Sequence, residues 1–461
     1  MHPPRTRRLA SLGCLACVGL LVVVAQFGLS FAIDTKWHYQ VAHITSSGAG
    51  LSYSYNLWSG VAHLWNDGAA PLAVVVLLWS GVWPYVKLGV LMRVLARADA
   101  HGLPPWTGTL SRLGRWSLLD VWVVAVTALA VRVSFDIEHT LVSFFGYMPE
   151  KLYLKIWSQA VALPGVYWFL TACVLSQLCG HEFLRQARED AARKGAAAPS
   201  GSAAATATAT PTSDGDRDAT AFRGCDGAAE LPGASPGAAR RWSALVVANA
   251  ALLVVTFTAL PIVSVRYHLA PKLHQDILGL ELSTSSIVDL DAVNGFTFTT
   301  AAALSTVGAF NGNTGVASQN YAMMGAAWLL VAVVPWARSL ALAAMWLAPL
   351  TRAWHARLHE AAKLCSLVAS HDLFVIALAV MTWQLPLLWT RTSAKTAEES
   401  GFSAASTFLT MGMTPEFGFV FVAASVALDN FVAGRVMGMH AAALAPPGGA
   451  YGAVGGAAAP P

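Results

Sequence analysis

The stretch "VWPYVKLGVL", Val82 to Leu91, returns later in the chain as "VVPWARSLAL", Val333 to Leu342. The correspondence pairs Pro84 with Pro335, Tyr85 with Trp336 and Lys87 with Arg338, and each proline lies inside a long apolar run. Two further landmarks keep the same register. "GRWSLLDVWVVAV" and "SHDLFVIALAV" pair Asp120 with Asp372 and Trp122 with Phe374, while "LPGVYWFL" and "PEFGFVFV" pair Gly165 with Gly418. Proline to aspartate is 36 residues in the first copy (84 to 120) and 37 in the second (335 to 372); aspartate to glycine is 45 and 46. Spacing held to within one residue over three landmarks predicts a duplicated unit.

What is duplicated follows from composition. Hydrophobic residues make up 56% of the 461 and charged ones only 12%, against about 25% charged in an ordinary soluble domain. Apolar runs near 12–33, 72–95, 118–133, 160–178, 245–265, 323–350, 373–389 and 417–431 each approach the ~20 residues that span a bilayer core. The reading is an all-α integral membrane protein of about eight transmembrane helices in two four-helix repeats. An even number of spans per unit makes the repeats parallel, related by an axis along the membrane normal. Predicted boundaries are residues 1–190 and 241–440 for the units, with a linker at 191–240 and a tail at 441–461. The linker ("AAATATATPTSDGD") and the tail ("PPGGAYGAVGGAAAPP") are too poor in large apolar residues to order themselves.

Arginine and lysine fall in alternate loops: Arg5 to Arg8, Arg93 to Arg115, Arg185 to Lys194, Arg240 and Arg241, and Arg352 to Lys363. The positive-inside rule then places both termini in the cytosol. Reading residues 1–32 as a cleaved signal peptide is the rival; the apolar stretch is longer than a signal core of about 7–15 residues. The non-cytosolic loops "HYQVAHITSSGAGLSYSYNLW" and "GFTFTTAAALSTVGAFNGNTG" mix β-branched and aromatic residues with Gly, Ser and Asn. They predict a small β-rich cap over each unit.

Charge inside the spans marks the candidate site. Lys87 lies three residues after Pro84, where an unsnorkelled charge costs on the order of 2.5–3.5 kcal/mol. Ser117 and Asp120 form an S-x-x-D capping box at the third span, and Asp120 is also within reach of a pairing with Lys87 across adjacent helices. Arg338 and Asp372 repeat the arrangement, so a charge pair is expected in each unit. Apart from Lys87, Arg338 and Arg132, the spans show almost no ionisable group near the midplane. Pro84 and Pro335 are expected to bend their helices and to free a backbone carbonyl that a neighbour must satisfy.

The remaining motifs point to little chemistry. Cys14 and Cys17 form a C-x-x-C in apolar surroundings and read as packing residues. His355 and His359 share one helix face in "HARLHE", but no third histidine or cysteine is near in sequence, so a solvated interfacial helix is expected. No Walker loop, G-x-S-x-G or H-E-x-x-H is present, and neither an enzyme, a cofactor nor a nucleic-acid partner is implied.

Pro84, Lys87 and Leu88, and then Arg115, Trp116, Ser117 and Asp120-Val121, carry a resemblance to the paraquat-inducible protein A family of bacterial integral membrane proteins. Members are built from four-span units whose second span has a proline followed by Lys-Leu and whose third opens with Arg-Trp-Ser, a hydrophobic pair, an acid and Val. The second unit is similar more weakly, with Arg338-Ser339 and "LVASHDL" at those places. The family's cysteine-pair zinc ribbons have no counterpart before Leu12 or Arg241, so metal binding does not carry over. The resemblance implies a part in lipid movement across an envelope, with membrane lipids and a tunnel-forming protein as partners. The alternatives are a secondary transporter of a small polar solute, or a membrane scaffold or receptor.

Overall fold

The computed structural model describes residues 4–41, 44–49, 53–66, 68–101, 114–119, 121–123, 133–141, 150–197, 236–269, 295–308, 317–399 and 409–444. Asp120 and Arg132, and most of the expected third span, lie outside the described residues.

The first half runs as helix α1 (Pro4–Phe27), strands β1 (Phe31–Val41), β2 (Ile44–Ala49) and β3 (Tyr53–Tyr55), and helix α2 (Leu57–Asn66). Helix α3 (Ala70–Val76) continues through a π-helical segment, Leu77–Val82, into α4 (Trp83–His101). After a 3-10 turn at Gly114–Leu118 come β4 (Val133–Leu141), β5 (Glu150–Ala162) and α5 (Pro164–Ala197). The second half opens with α6 (Pro236–Thr258), β6 (Pro261–Leu269), β7 (Gly295–Thr299) and α7 (Thr300–Gly308). Helix α8 (Ala317–Ala327) again passes through a π-helical segment, Trp328–Val333, into α9 (Val334–Leu347). Helices α10 (Arg352–Val368) and α11 (His371–Glu399), strand β8 (Leu409–Pro415) and helix α12 (Phe417–Leu444) complete it.

Six helical stretches among the described residues are long and apolar enough to cross a membrane: Ala10–Phe27, Ala70–Val94, Arg240–Thr258, Tyr321–Leu347, Arg352–Pro386 and Phe417–His440. The chain is an integral membrane protein. The expected fourth span is the helix α5, but Ser176, Gln177, His181 and Glu182 dilute its apolar character and it is not among the six.

The fold is mostly helical, and its strands lie between the helices, around the loops where β-rich caps are expected. Antiparallel pairing orders one sheet β2-β1-β5-β4, with β3 also on β1, and a second β7-β6-β8. Long alternating segments such as "FAIDTKWHYQV" suit a pleated strand, and β1 and β5 reach 11 and 13 residues. The first span accordingly ends at Phe27, ahead of a strand, rather than at Ile33. The second loop turns helical at Thr300, and the first runs into helix α2 at Leu57. Helix α2 starts with a reciprocal cap, Ser59 N–H donating to Asn56 Oδ1 (2.8 Å) and Asn56 N–H to Ser59 Oγ (2.9 Å). Helix α7 starts with Ala302 N–H donating to Thr299 Oγ1 at 3.1 Å. Gly68, at φ 77°, takes the left-handed turn that lets Ala69 N–H reach back to the Leu64 carbonyl and close α2.

The helix ends also reach into the expected linker: α5 continues to Ala197 and α6 begins at Pro236. At the sheet ends of α5 and α12 the backbones touch. Gly165 N–H donates to the Leu29 carbonyl at 2.9 Å, and a Cβ there would sit 2.5 Å from that oxygen. One at Gly418 would overlap the Pro261 carbonyl. One apolar core links the two halves, and Trp122 meets Phe374 within it.

Candidate functional site

The prolines account for the two π-helical segments. Pro84 cannot donate a hydrogen bond, which leaves the carbonyl one turn earlier open, and a wider turn spreads that defect. In the first half Gln26 fills the opening: its Nε2 donates to the Ser80 carbonyl (2.7 Å) and the Gly81 carbonyl (3.2 Å), while its Oε1 accepts from Tyr85 Oη (2.8 Å). In the second half the backbone N–H of Ser370 donates to the Leu330 carbonyl at 3.1 Å. Phe257 packs edge-on against Trp336 in that half.

Beyond Pro335, α9 carries Arg338 and Ser339, both buried. The carboxylate on Arg338 is Asp429 of α12, its ion-pair partner through Oδ2. Ser339 Oγ and Asn249 Nδ2, from α6, each donate to Asp429 Oδ1 at 2.8 Å, and Asn249 Nδ2 also lies 3.2 Å from Ser339 Oγ. His371 Nε2, from the first turn of α11, lies 3.4 Å from Asp429 Oδ2. Arg338 further donates to Asn430 Oδ1 at 3.2 Å. Thus α6, α9 and α11 each bring polar side chains to the one carboxylate of α12, and Asn249, Arg338, Ser339, His371 and Asp429 are all buried.

Burying a charge is tolerable only when it is paired and hydrogen-bonded, and Asp429 meets both conditions. Such a cluster has the means to hold a polar headgroup, or to exchange partners when one arrives. Asp372, the expected partner of Arg338, is half-buried beside His371, and its Oδ1 accepts from Leu373 N–H at 3.0 Å. Asp429 escaped the sequence reading because the last span was closed at Phe431, which put the aspartate near its end. Helix α12 continues to Leu444 and the apolar stretch runs Phe417–His440, so Asp429 is central. The signal that would have found it is the lone acid in "VAASVALDNFVAG".

Lys87 is also buried, and its Nζ has no hydrogen-bond partner among the described residues. Its expected partner Asp120 falls outside them. Ser117 is buried in the 3-10 turn. Cys14 and Cys179, from α1 and α5, bring their sulfurs to 3.2 Å. His355 and His359, expected to be solvated, are instead buried where α10 packs under α9 and α12.

No solved structure matches the chain. Similarity to intermembrane transport protein PqiA covers 90 residues at 30% identity, for the proteins of Escherichia coli strain K12 and of Shigella flexneri alike. That is 18% of this chain and 22% of each relative, so the match spans just under a quarter of their length. A family model described as Paraquat-inducible protein A matches residues 17–146, which contain the Pro84–Leu88 and Arg115–Val121 motifs; this part of the chain is similar to that family.

Proposed function

We propose that the protein is a non-enzymatic, multi-pass transporter of membrane lipids. It is built from two parallel four-span units with both termini in the cytosol. The observation that carries this reading is the similarity of residues 17–146 to the paraquat-inducible protein A family, together with that to relatives named intermembrane transport proteins. Repetition of the proline-linked π segments and of the glycine contacts at Gly165 and Gly418 supports the two-unit architecture. In this reading the units form a groove, and charge organises it: Arg338 with Asp429 in the second unit, Lys87 with Asp120 in the first. Asp372 assists at the start of α11, and Pro84 and Pro335 supply the bends. Lipids are the partners within the membrane, and a tunnel-forming protein receives them.

The experiment is reconstitution into proteoliposomes with a fluorescent phospholipid and unlabelled acceptor vesicles. Transfer by the wild-type protein, reduced at least tenfold in Asp429→Asn, supports the proposal; no transfer above protein-free vesicles overturns it. A second reading, secondary transport of a small polar solute, is favoured by one observation: an ionisable cluster does sit centrally, around Asp429. Solute flux without lipid transfer in the same vesicles selects it.

A further inference from the structure

The fold supplies the third histidine that the sequence around His355 and His359 lacks. His440, near the end of α12, lies against both: its ring centre is 4.6 Å from that of His355 and 6.0 Å from that of His359. All three are buried. Neither nitrogen of His440, nor Nδ1 of His359, has a hydrogen-bond partner among the described residues. Three imidazoles packed together and away from water, with nitrogens left unsatisfied, are costly unless something binds them.

We propose that His355, His359 and His440 form a binding site for a divalent transition metal of the zinc class. The spacing suits it. With metal–nitrogen bonds of 2.0–2.1 Å, two imidazoles on one tetrahedral ion have ring centres about 5 Å apart, between the two separations seen here. His355 and His359 stand one helical turn apart on α10, so both present to the same side. An all-imidazole set selects zinc, copper or nickel over magnesium or calcium. With the side chains as they stand, no group of three or more His, Cys, Asp or Glu among the described residues, these three histidines included, could hold a metal ion. Loading therefore takes rotation of the rings about their side-chain bonds, with water as the fourth ligand. Bound metal would clamp α10 to α12 at the end of the second half remote from its sheet. The cluster is separate from Asp429 and from the cysteines of α1 and α5.

The test uses the full-length protein in detergent, stripped by chelator and titrated with Zn²⁺ alone. The expected result is a single tightly held equivalent per chain in the wild type, weakened at least tenfold in His359→Gln and in His440→Gln. Zinc binding that is absent from the folded wild type, or unchanged in both variants, overturns the proposal. Should the variants fail to fold, X-ray absorption of the zinc-loaded wild type decides: imidazole scattering with nitrogen at about 2.0–2.1 Å supports the site, and a thiolate shell near 2.3 Å moves the metal to cysteine and overturns it.

Discussion

Trp122 and Phe374 meet edge to face, ring centres 6.0 Å apart and planes at 88°, one from each half of the chain. They occupy corresponding places in the two stretches "DVWVVAV" and "DLFVIAL", as residues of the two proposed units would. Residues related by a two-fold axis touch each other only beside that axis, so this contact marks where it would pass. Both rings are buried. Trp122→Ala and Phe374→Ala should each cost about 3–5 kcal/mol. The double variant should fall short of the sum by roughly 0.5–1.5 kcal/mol, the usual worth of an aromatic pair. Unfolding in detergent measures all three, and strict additivity would remove the pair from the interface.

Variants of the Asp429 cluster separate stability from the proposed transport. Asp429→Ala leaves Arg338 buried without its carboxylate, a loss on the order of 3–5 kcal/mol. Replacing both partners with apolar residues, Arg338→Met with Asp429→Leu, should recover most of that stability, because neither charge is then stranded. Lipid transfer should stay lost in the recovered protein if the cluster works on the cargo. A double variant that is stable and transports normally would make the ion pair purely architectural.

Much of this was readable in the chain because its causes are local. A proline removes a donor wherever it stands, so Pro84 and Pro335 announced the freed carbonyls that Gln26 and Ser370 now serve. The β-branched and aromatic residues of "HYQVAHITSSGAGLSYSYNLW" announced strands, though not that the first begins back at Phe31. The partner of Arg338 was hidden because pairing depends on which helices become neighbours: the sequence offered Asp372, at the start of the next span, whereas packing selected Asp429 from the last helix. His440 was hidden for the same reason, lying 81 residues beyond His359.

Glycines give a test of the junctions between sheets and helices. A methyl group at Gly165 or Gly418 drives into a carbonyl of the passing chain, and such overpacking costs about 1–3 kcal/mol. Gly89 and Gly434 lie in helices with nothing within 4 Å of a Cβ. Alanine there should be neutral or stabilise by up to about 1 kcal/mol through lower backbone entropy when unfolded. Equal thermal stability across the four alanine variants would contradict the close approach at Gly165 and Gly418.

The sulfurs of Cys14 and Cys179 give a direct measure of how α1 packs on α5. At 3.2 Å they need only a small rotation to reach the ~2.05 Å of a disulfide bond. Mild oxidation of purified protein should therefore join the two peptides, with loss of two hydrogens to the oxidant, and reductant should release them. Cys17 lies on nearly the same face of α1 but three residues, about 4.5 Å, further along the axis, and should link to Cys179 poorly when Cys14 is replaced by serine. Peptide mass spectrometry reads both outcomes. A Cys17–Cys179 product dominating in the wild type would mean that α1 is displaced along its axis by about 4.5 Å from the packing described, and Leu15, Val18 and Val22 would then leave the positions in the core they now fill.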